Sequence, residues 1–199
     1  NRVSIEDSYY TQMNVLKDIL EKCGFDVLGE NGYEADDFVS YVVGNYKDSY
    51  DHVIIHSHDL DLTELIDTNV YIKNVMSKRD DITLDNYEDI MGIPYNTTLL
   101  KKAIVGCSSD NIKGVPGIGD KKFLKLLEVI KEEYNLADIR KENLEEEIIR
   151  KYIEYDKIGL ALTSLNLAKT RLPSGYRLNE IYSGVNRDLL IWFLNRYGM

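Results

Sequence analysis

Apolar positions along this 199-residue chain change period several times, and the changes mark its elements. Tyr9, Met13, Leu16, Leu20 and Cys23 recur at three- and four-residue steps, which predicts an amphipathic helix over residues 6–23 that stops at Gly24. Phe25 to Leu28 reads as a short buried strand. Gly32 to Val39 enters a second helix that continues through Tyr41 and Val42 to Asn45. Val53-Ile54-Ile55 is an uninterrupted β-branched run of the kind found in parallel strands covered on both faces, and Val70 to Val75 is a further strand. Helical spacing then takes over, at Leu84–Met91, at Thr98–Val105, in the run containing Phe123, Leu124, Leu127 and Ile130, at 143–155, at 157–168 and at Leu189–Tyr197. This order predicts an α/β region with a parallel sheet over residues 1–80 and a mostly helical region over 81–199. No Pro- or Ser-rich linker divides them.

Between two of these helices lies a stretch of another character, Gly106 to Lys122, reading Gly-Cys-Ser-Ser-Asp-Asn-Ile-Lys-Gly-Val-Pro-Gly-Ile-Gly-Asp-Lys-Lys. Gly114, Gly117 and Gly119 allow tight turns while Val115 and Ile118 anchor the loop inward. A glycine hairpin that empties into the positive end of a helix offers backbone N–H groups to a phosphate, and Lys113, Lys121 and Lys122 offer charge to its neighbours. That is sequence-independent recognition of a nucleic-acid backbone. Local charge agrees, with seven lysines against three acids from Lys101 to Lys131.

Composition at first opposes such a partner, because the net charge is −10. The acids are unevenly spread: residues 1–67 carry four basic and fifteen acidic side chains, whereas the remainder is close to balanced. The negative charge therefore belongs to one part of the fold, as a solvated face or as a metal site. Two widely separated cysteines, Cys23 and Cys107, lack metal-type spacing and suit a reducing compartment. With no bilayer-length apolar run and nothing resembling a signal peptide at the start, the expectation is a soluble cytoplasmic protein with no membrane partner. A chain opening on Asn1 reads as processed, trimmed or partial.

Spacing favours the metal site. Glu34 and Asp37 are three apart in a helical stretch and so share a face, with Asp36 beside them. Asp59 and Asp61 follow the carboxyl end of the Val53 strand at period two and can point the same way, at the sheet edge where open α/β folds place their sites. Asp110 enters just ahead of the glycine hairpin as a sixth carboxylate. Carboxylates this close repel one another unless a cation intervenes, and Mg²⁺ or Mn²⁺ suits such oxygen donors. Two such ions activate a water and stabilise the leaving oxygen in phosphodiester hydrolysis, with Asp37, Asp59 and Asp61 nearest the chemistry. His56 and His58 read as surface or supporting groups rather than ligands.

Glu34-Ala35-Asp36-Asp37, then Ser57-His58-Asp59-Leu60-Asp61 with Leu65, then Gly106 to Gly119, resemble three successive signatures of the structure-specific 5′ nucleases. These include flap endonucleases, the 5′–3′ exonuclease domain of bacterial DNA polymerase I, and phage exonucleases and ribonuclease H. The resemblance runs from about residue 9 to the C-terminus. It implies a PIN-like domain and a helix-three-turn-helix element that grips flapped or nicked duplex DNA, with K⁺ on hairpin carbonyls. It further implies that Glu34, Asp36, Asp37, Asp59, Asp61 and Asp110 are metal-site acids, and that the backbone at Gly117 and Gly119 with Lys121 and Lys122 is the duplex clamp. A phage protein of the bacterial cytoplasm is the matching source. Two departures stand out. Cys107 occupies a position where the family has Asp, and a thiol is a poor ligand for Mg²⁺ or else packs as a small hydrophobe. The family's first strand and helical arch have no counterpart ahead of Asn1, so another polypeptide is expected to supply them or the metal centre is incomplete. A DNA-binding scaffold without turnover and a PIN-type ribonuclease are the rival readings.

Overall fold

The computed structural model describes residues 7–75, 80–169 and 184–197. Its elements in chain order are α1 (Asp7–Lys22), α2 (Ala35–Tyr46), β1 (Val53–Ser57), β2 (Val70–Asn74), α3 (Tyr87–Met91), α4 (Thr98–Val105), α5 (Asp120–Ile130), α6 (Glu145–Tyr152), α7 (Ile158–Ala168) and α8 (Arg187–Tyr197). Packing groups them into two compact units, residues 1–34 with 173–199, and residues 35–172.

In the first unit α1 ends as its periodicity requires: Gly24 takes φ 87° and its N–H reaches the Glu21 carbonyl at 3.0 Å. Cys23 and Ile19 are buried, and the Cys23 carbonyl accepts from the Asn186 N–H at 2.8 Å, just ahead of α8. The strand expected over Phe25 to Leu28 does not form, and Phe25 is exposed. A strand is stable only where a neighbour takes up its N–H and C=O groups, and among the described residues this unit offers none.

The second unit is built on β1 and β2, which pair in parallel from Val53 opposite Val70 to Ser57 opposite Asn74. Ile72 exchanges two backbone hydrogen bonds with Ile82, at 2.9 and 2.8 Å, which adds a bridge on the far side of β2. Ile55, Val70 and Ile72 face the core, but Ile54 is exposed, so among the described residues β1 is covered on one face only. Helices supply the rest of the core: Leu100, Ala103 and Ile104 of α4, Phe123, Leu127 and Ile130 of α5, Ile148 and Ile149 of α6, and Ala161 and Leu165 of α7. Each large apolar side chain buried here contributes about 1.5–3 kcal/mol. α4 lies against α7, α5 and α6, and this holds the loop between α4 and α5 in place.

Helix ends follow local chemistry. α3 starts at Tyr87 rather than Leu84 because Asn86 accepts from the Thr83 N–H (2.8 Å) and donates to the Asp81 carbonyl (2.9 Å), tying residues 81–86 into a turn. α6 starts at Glu145 because Asn143 adopts a left-handed φ of 54°. Among the described residues no helix is long and apolar enough to cross a membrane.

Candidate metal centre and nucleic-acid face

The chain leaves β1 at Ser57, whose Oγ accepts from the Asp59 N–H at 3.0 Å. Asp59 does not prolong the strand. Its carboxylate accepts from the Asp61 N–H at 2.9 Å and caps a 3₁₀ turn over Leu60–Leu65. The period-two relation expected of Asp59 and Asp61 is therefore replaced by a helical turn. It leaves Asp59 exposed, half-buries Asp61 and sends Leu62 and Leu65 into the core. Glu64, in the same turn, is buried.

Asp110 arrives from the other direction. After α4, Gly106 takes φ 94°, and Cys107 and Ile112 exchange backbone hydrogen bonds at 2.9 and 2.8 Å. The Val115 N–H then returns to the Ile104 carbonyl at 2.7 Å. A Cβ on Gly114 would sit 2.4 Å from the Gly106 nitrogen and from the Val105 carbonyl carbon, so this loop closes only without side chains there. The closure brings Asp110 beside Lys102 of α4.

Lys102 links the two halves of the site. Its ammonium donates to Asp61 Oδ1 at 2.9 Å and to Asp110 Oδ2 at 3.1 Å, and the residue is only 9% exposed. Asp61, Cys107 and Asp110 each offer a donor atom within 4.8 Å of the others. Cys107 Sγ lies 2.9 Å from Ser109 Oγ, which donates to Asp110 Oδ1 at 3.0 Å. In the sequence Lys102 belongs to the basic stretch, and the fold turns it inward instead. The available signal is its place in the same short helix as Leu99, Leu100, Ala103 and Ile104, all of them buried.

Charge ties further groups to this cluster. Burial pushes the Asp61 carboxyl up, Lys102 opposes, and the charges of Asp110 and Asp59 add to the rise. Burial also acts on Asp110, but Lys102, with Cys107 and Ser109, outweighs it and holds that carboxyl below its usual range. Burial pulls the Lys102 ammonium down, and the two aspartates more than reverse this. Glu64 is raised by burial; Arg140 and Lys102 oppose, while Asp61 and Asp36 raise it further. Asp36 and Asp37 lie half-buried in the first turn of α2. Glu34 is exposed and stands immediately before α2, which begins at Ala35.

Two oxygens and one sulfur within 4.8 Å fit a single divalent ion. The carboxylates suit Mg²⁺ or Mn²⁺, and the sulfur suits a softer ion. Beyond the loop, Val115 is buried and Ile118 half-buried, as expected. Gly117 has φ 83° and its carbonyl accepts from Lys122 Nζ at 2.7 Å. Gly119 has φ −106° and precedes α5 in extended backbone, so it makes no positive-φ turn. Gly114 is buried, and its close approach to Val105 and Gly106 shapes the loop. Lys113, Lys121 and Lys122 are exposed; Asp120, in the first turn of α5, pairs with Lys101 at 3.0 Å.

Residues 1–92 match the family model described as the 5′-3′ exonuclease, N-terminal resolvase-like domain. The 5′-3′ exonuclease of Mycoplasma pneumoniae is 33% identical over 207 residues, covering 94% of this chain and 66% of that protein. DNA polymerase I of Caldicellulosiruptor bescii is 33% identical over 190 residues, covering 91% of this chain but 22% of its own length. The chain thus spans a fifth to two thirds of these relatives. A solved structure of the T5 5′-exonuclease with bound zinc superposes with a TM-score of 0.53 at 24% identity, over 85% of this chain and 73% of that one, which supports the PIN-like α/β fold. With its fold and most of its length so matched, the chain belongs to the 5′-3′ exonuclease family.

Proposed function

We propose that this chain acts in the divalent-metal-dependent hydrolysis of phosphodiester bonds in DNA, at 5′ flaps or nicks, as a 5′–3′ exonuclease or flap endonuclease. The observation that carries this reading is the convergence of Asp61, Cys107 and Asp110 donor atoms, two of them from the α4–α5 loop that also carries exposed Lys113 and leads into exposed Lys121 and Lys122 of α5. Asp61 and Asp110, with Cys107, would hold one ion; Asp36, Asp37 and Asp59, and Glu34 by family resemblance, would serve a second. A divalent ion there supplies the charge that activates water and stabilises the leaving oxygen. Lys102, bridging Asp61 and Asp110, holds the place of positive charge that an incoming ion would have to share or displace. Lys113, Lys121 and Lys122, with the backbone at Gly117 and Gly119, would hold phosphates irrespective of sequence. A K⁺ ion on the loop carbonyls would compete with Lys122 for the Gly117 oxygen.

The test is Asp61→Asn alongside Asp59→Asn. Both are expected to abolish Mn²⁺-dependent cleavage of a labelled flap substrate while duplex binding in a gel-shift assay is kept. Full cleavage by clean Asp61→Asn protein would refute the assignment. A second reading, a DNA-binding subunit without turnover, is favoured by the sulfur in the donor set and by an ammonium already among the acids. Tight duplex binding with no Mn²⁺-induced rise in melting temperature would select it.

A further inference from the structure

A half-buried cysteine ordinarily serves as a small hydrophobe, and Cys107 does rest in part against the core. Its sulfur, however, faces polar atoms. Sγ lies 2.9 Å from Ser109 Oγ, and the thiol hydrogen-bonds to the Asp110 carboxylate. Backbone hydrogen bonds with Ile112, through both its N–H and its C=O, fix the residue there. Cys23 offers the contrast: it is fully buried in the first unit and joins no such donor group among the described residues.

The place between the two aspartates is already a seat for positive charge. Lys102 fills it with an ammonium 2.9 Å from Asp61 and 3.1 Å from Asp110, although burying an ammonium is costly unless it is paired. The aspartate side chains are 32% and 30% exposed, so a cation from solvent can reach their oxygens and displace or share with that ammonium. Asp61, Cys107 and Asp110 then offer it two oxygens and one sulfur within 4.8 Å.

Such a set does not treat divalent ions alike. Mg²⁺ is hard, prefers oxygen and dehydrates reluctantly, so a thiol is a poor third donor for it. Zn²⁺ accepts thiolate and carboxylate together, and sites with three protein donors and a water are common for it. Ser109, hydrogen-bonded to both Cys107 and Asp110, holds the sulfur and the oxygen in register, as groups behind a metal's ligands do. We propose that this cluster takes a thiophilic divalent cation of the zinc class, bound through Cys107 Sγ with Asp61 and Asp110 and preferred over Mg²⁺. On binding, the Cys107 S–H bond breaks, its electron pair forms the bond to the metal, and the proton passes to solvent. The inference rests on the reading of Asp61 and Asp110 as metal ligands.

The full chain is freed of metal and titrated with Co²⁺, which stands in for Zn²⁺ and reports a bound thiolate by a sulfur-to-metal charge-transfer band in the near ultraviolet. A saturable band is expected. It should persist in Cys23→Ser, vanish in Cys107→Ser, and be removed from the wild type by Zn²⁺ but not by a large excess of Mg²⁺. Cys107→Ser should also weaken Zn²⁺ by about tenfold or more in calorimetry. Because the serine variant could disturb the loop, a wild-type crystal soaked in Zn²⁺ is the second measurement, and anomalous density touching Asp61, Cys107 and Asp110 is expected. No band, a band that survives in Cys107→Ser, ready displacement by Mg²⁺, or density on oxygens alone would each overturn the proposal. The nuclease reading is judged separately, by cleavage. If the band is absent and Asp61→Asn abolishes cleavage, the thiophilic site falls and the nuclease reading stands; if the wild type shows the band and Asp61→Asn cleaves fully, the reverse holds.

Discussion

Replacing Lys102 by Met removes the ammonium that lies 2.9 Å from Asp61 and 3.1 Å from Asp110 while keeping the apolar stem. Removing one partner of a fully buried pair costs about 3–5 kcal/mol. The aspartates are not fully buried, their side chains being 32% and 30% exposed, so water partly solvates what is left behind. The expected loss is about 1–3 kcal/mol, or a fall in melting temperature of roughly 2–12 °C at about 2–4 °C per kcal/mol. The folded protein holds the Lys102 ammonium above the ordinary lysine value of 10.5. Its contribution is therefore whole below that value and disappears as pH rises through the folded one, so an assay at pH 7 sees all of it. Added Mn²⁺ should restore much of the loss, because the ion supplies the positive charge the variant lacks, and should stabilise the variant more than the wild type. The assay is calorimetric melting at pH 7 with and without Mn²⁺, at low and moderate salt. A Lys102→Met protein that melts with the wild type under all these conditions would refute the view that Lys102 is the internal counter-ion of the acidic cluster.

Two further outcomes follow from the same loop. Cys107→Asp exchanges a sulfur for an oxygen donor within 4.8 Å of Asp61 and Asp110, and should tighten Mg²⁺ by about tenfold in a thermal-shift titration; an unchanged response would remove residue 107 from the donor set. Gly114→Ala forces a Cβ to 2.4 Å from backbone atoms at φ 65°, which should cost roughly 2–4 kcal/mol in urea unfolding. Gly119→Ala, with open space and φ −106°, should change stability by less than about 1 kcal/mol. Equal effects of the two would show that the loop is not closed as described.

Much of the chain is legible in its residues alone. The end of α1 at Gly24, the span of α4 from Thr98 to Val105 and the parallel pair Val53 and Val70 are set by capping glycine, helical period and β-branched runs, which act within a few residues. Phe25 to Leu28 misleads because its composition suits a strand but a strand needs a neighbour. The acids are legible as candidates, and their arrangement is not. Asp59 and Asp61 read as an alternating pair, yet the Asp61 N–H turns back onto the Asp59 carboxylate and begins a 3₁₀ turn.

Hydrogen bonds and hydrophobic periods between near neighbours thus determined the elements, the glycine loop and the inventory of carboxylates and lysines. Tertiary structure decided which of them meet. It buried Lys102 between Asp61 and Asp110 and left Glu64, Arg140 and Glu145 around one cavity. The physical reason is that the cost of burying a charge depends on partners distant in the chain, and no local pattern records which partners the fold will deliver.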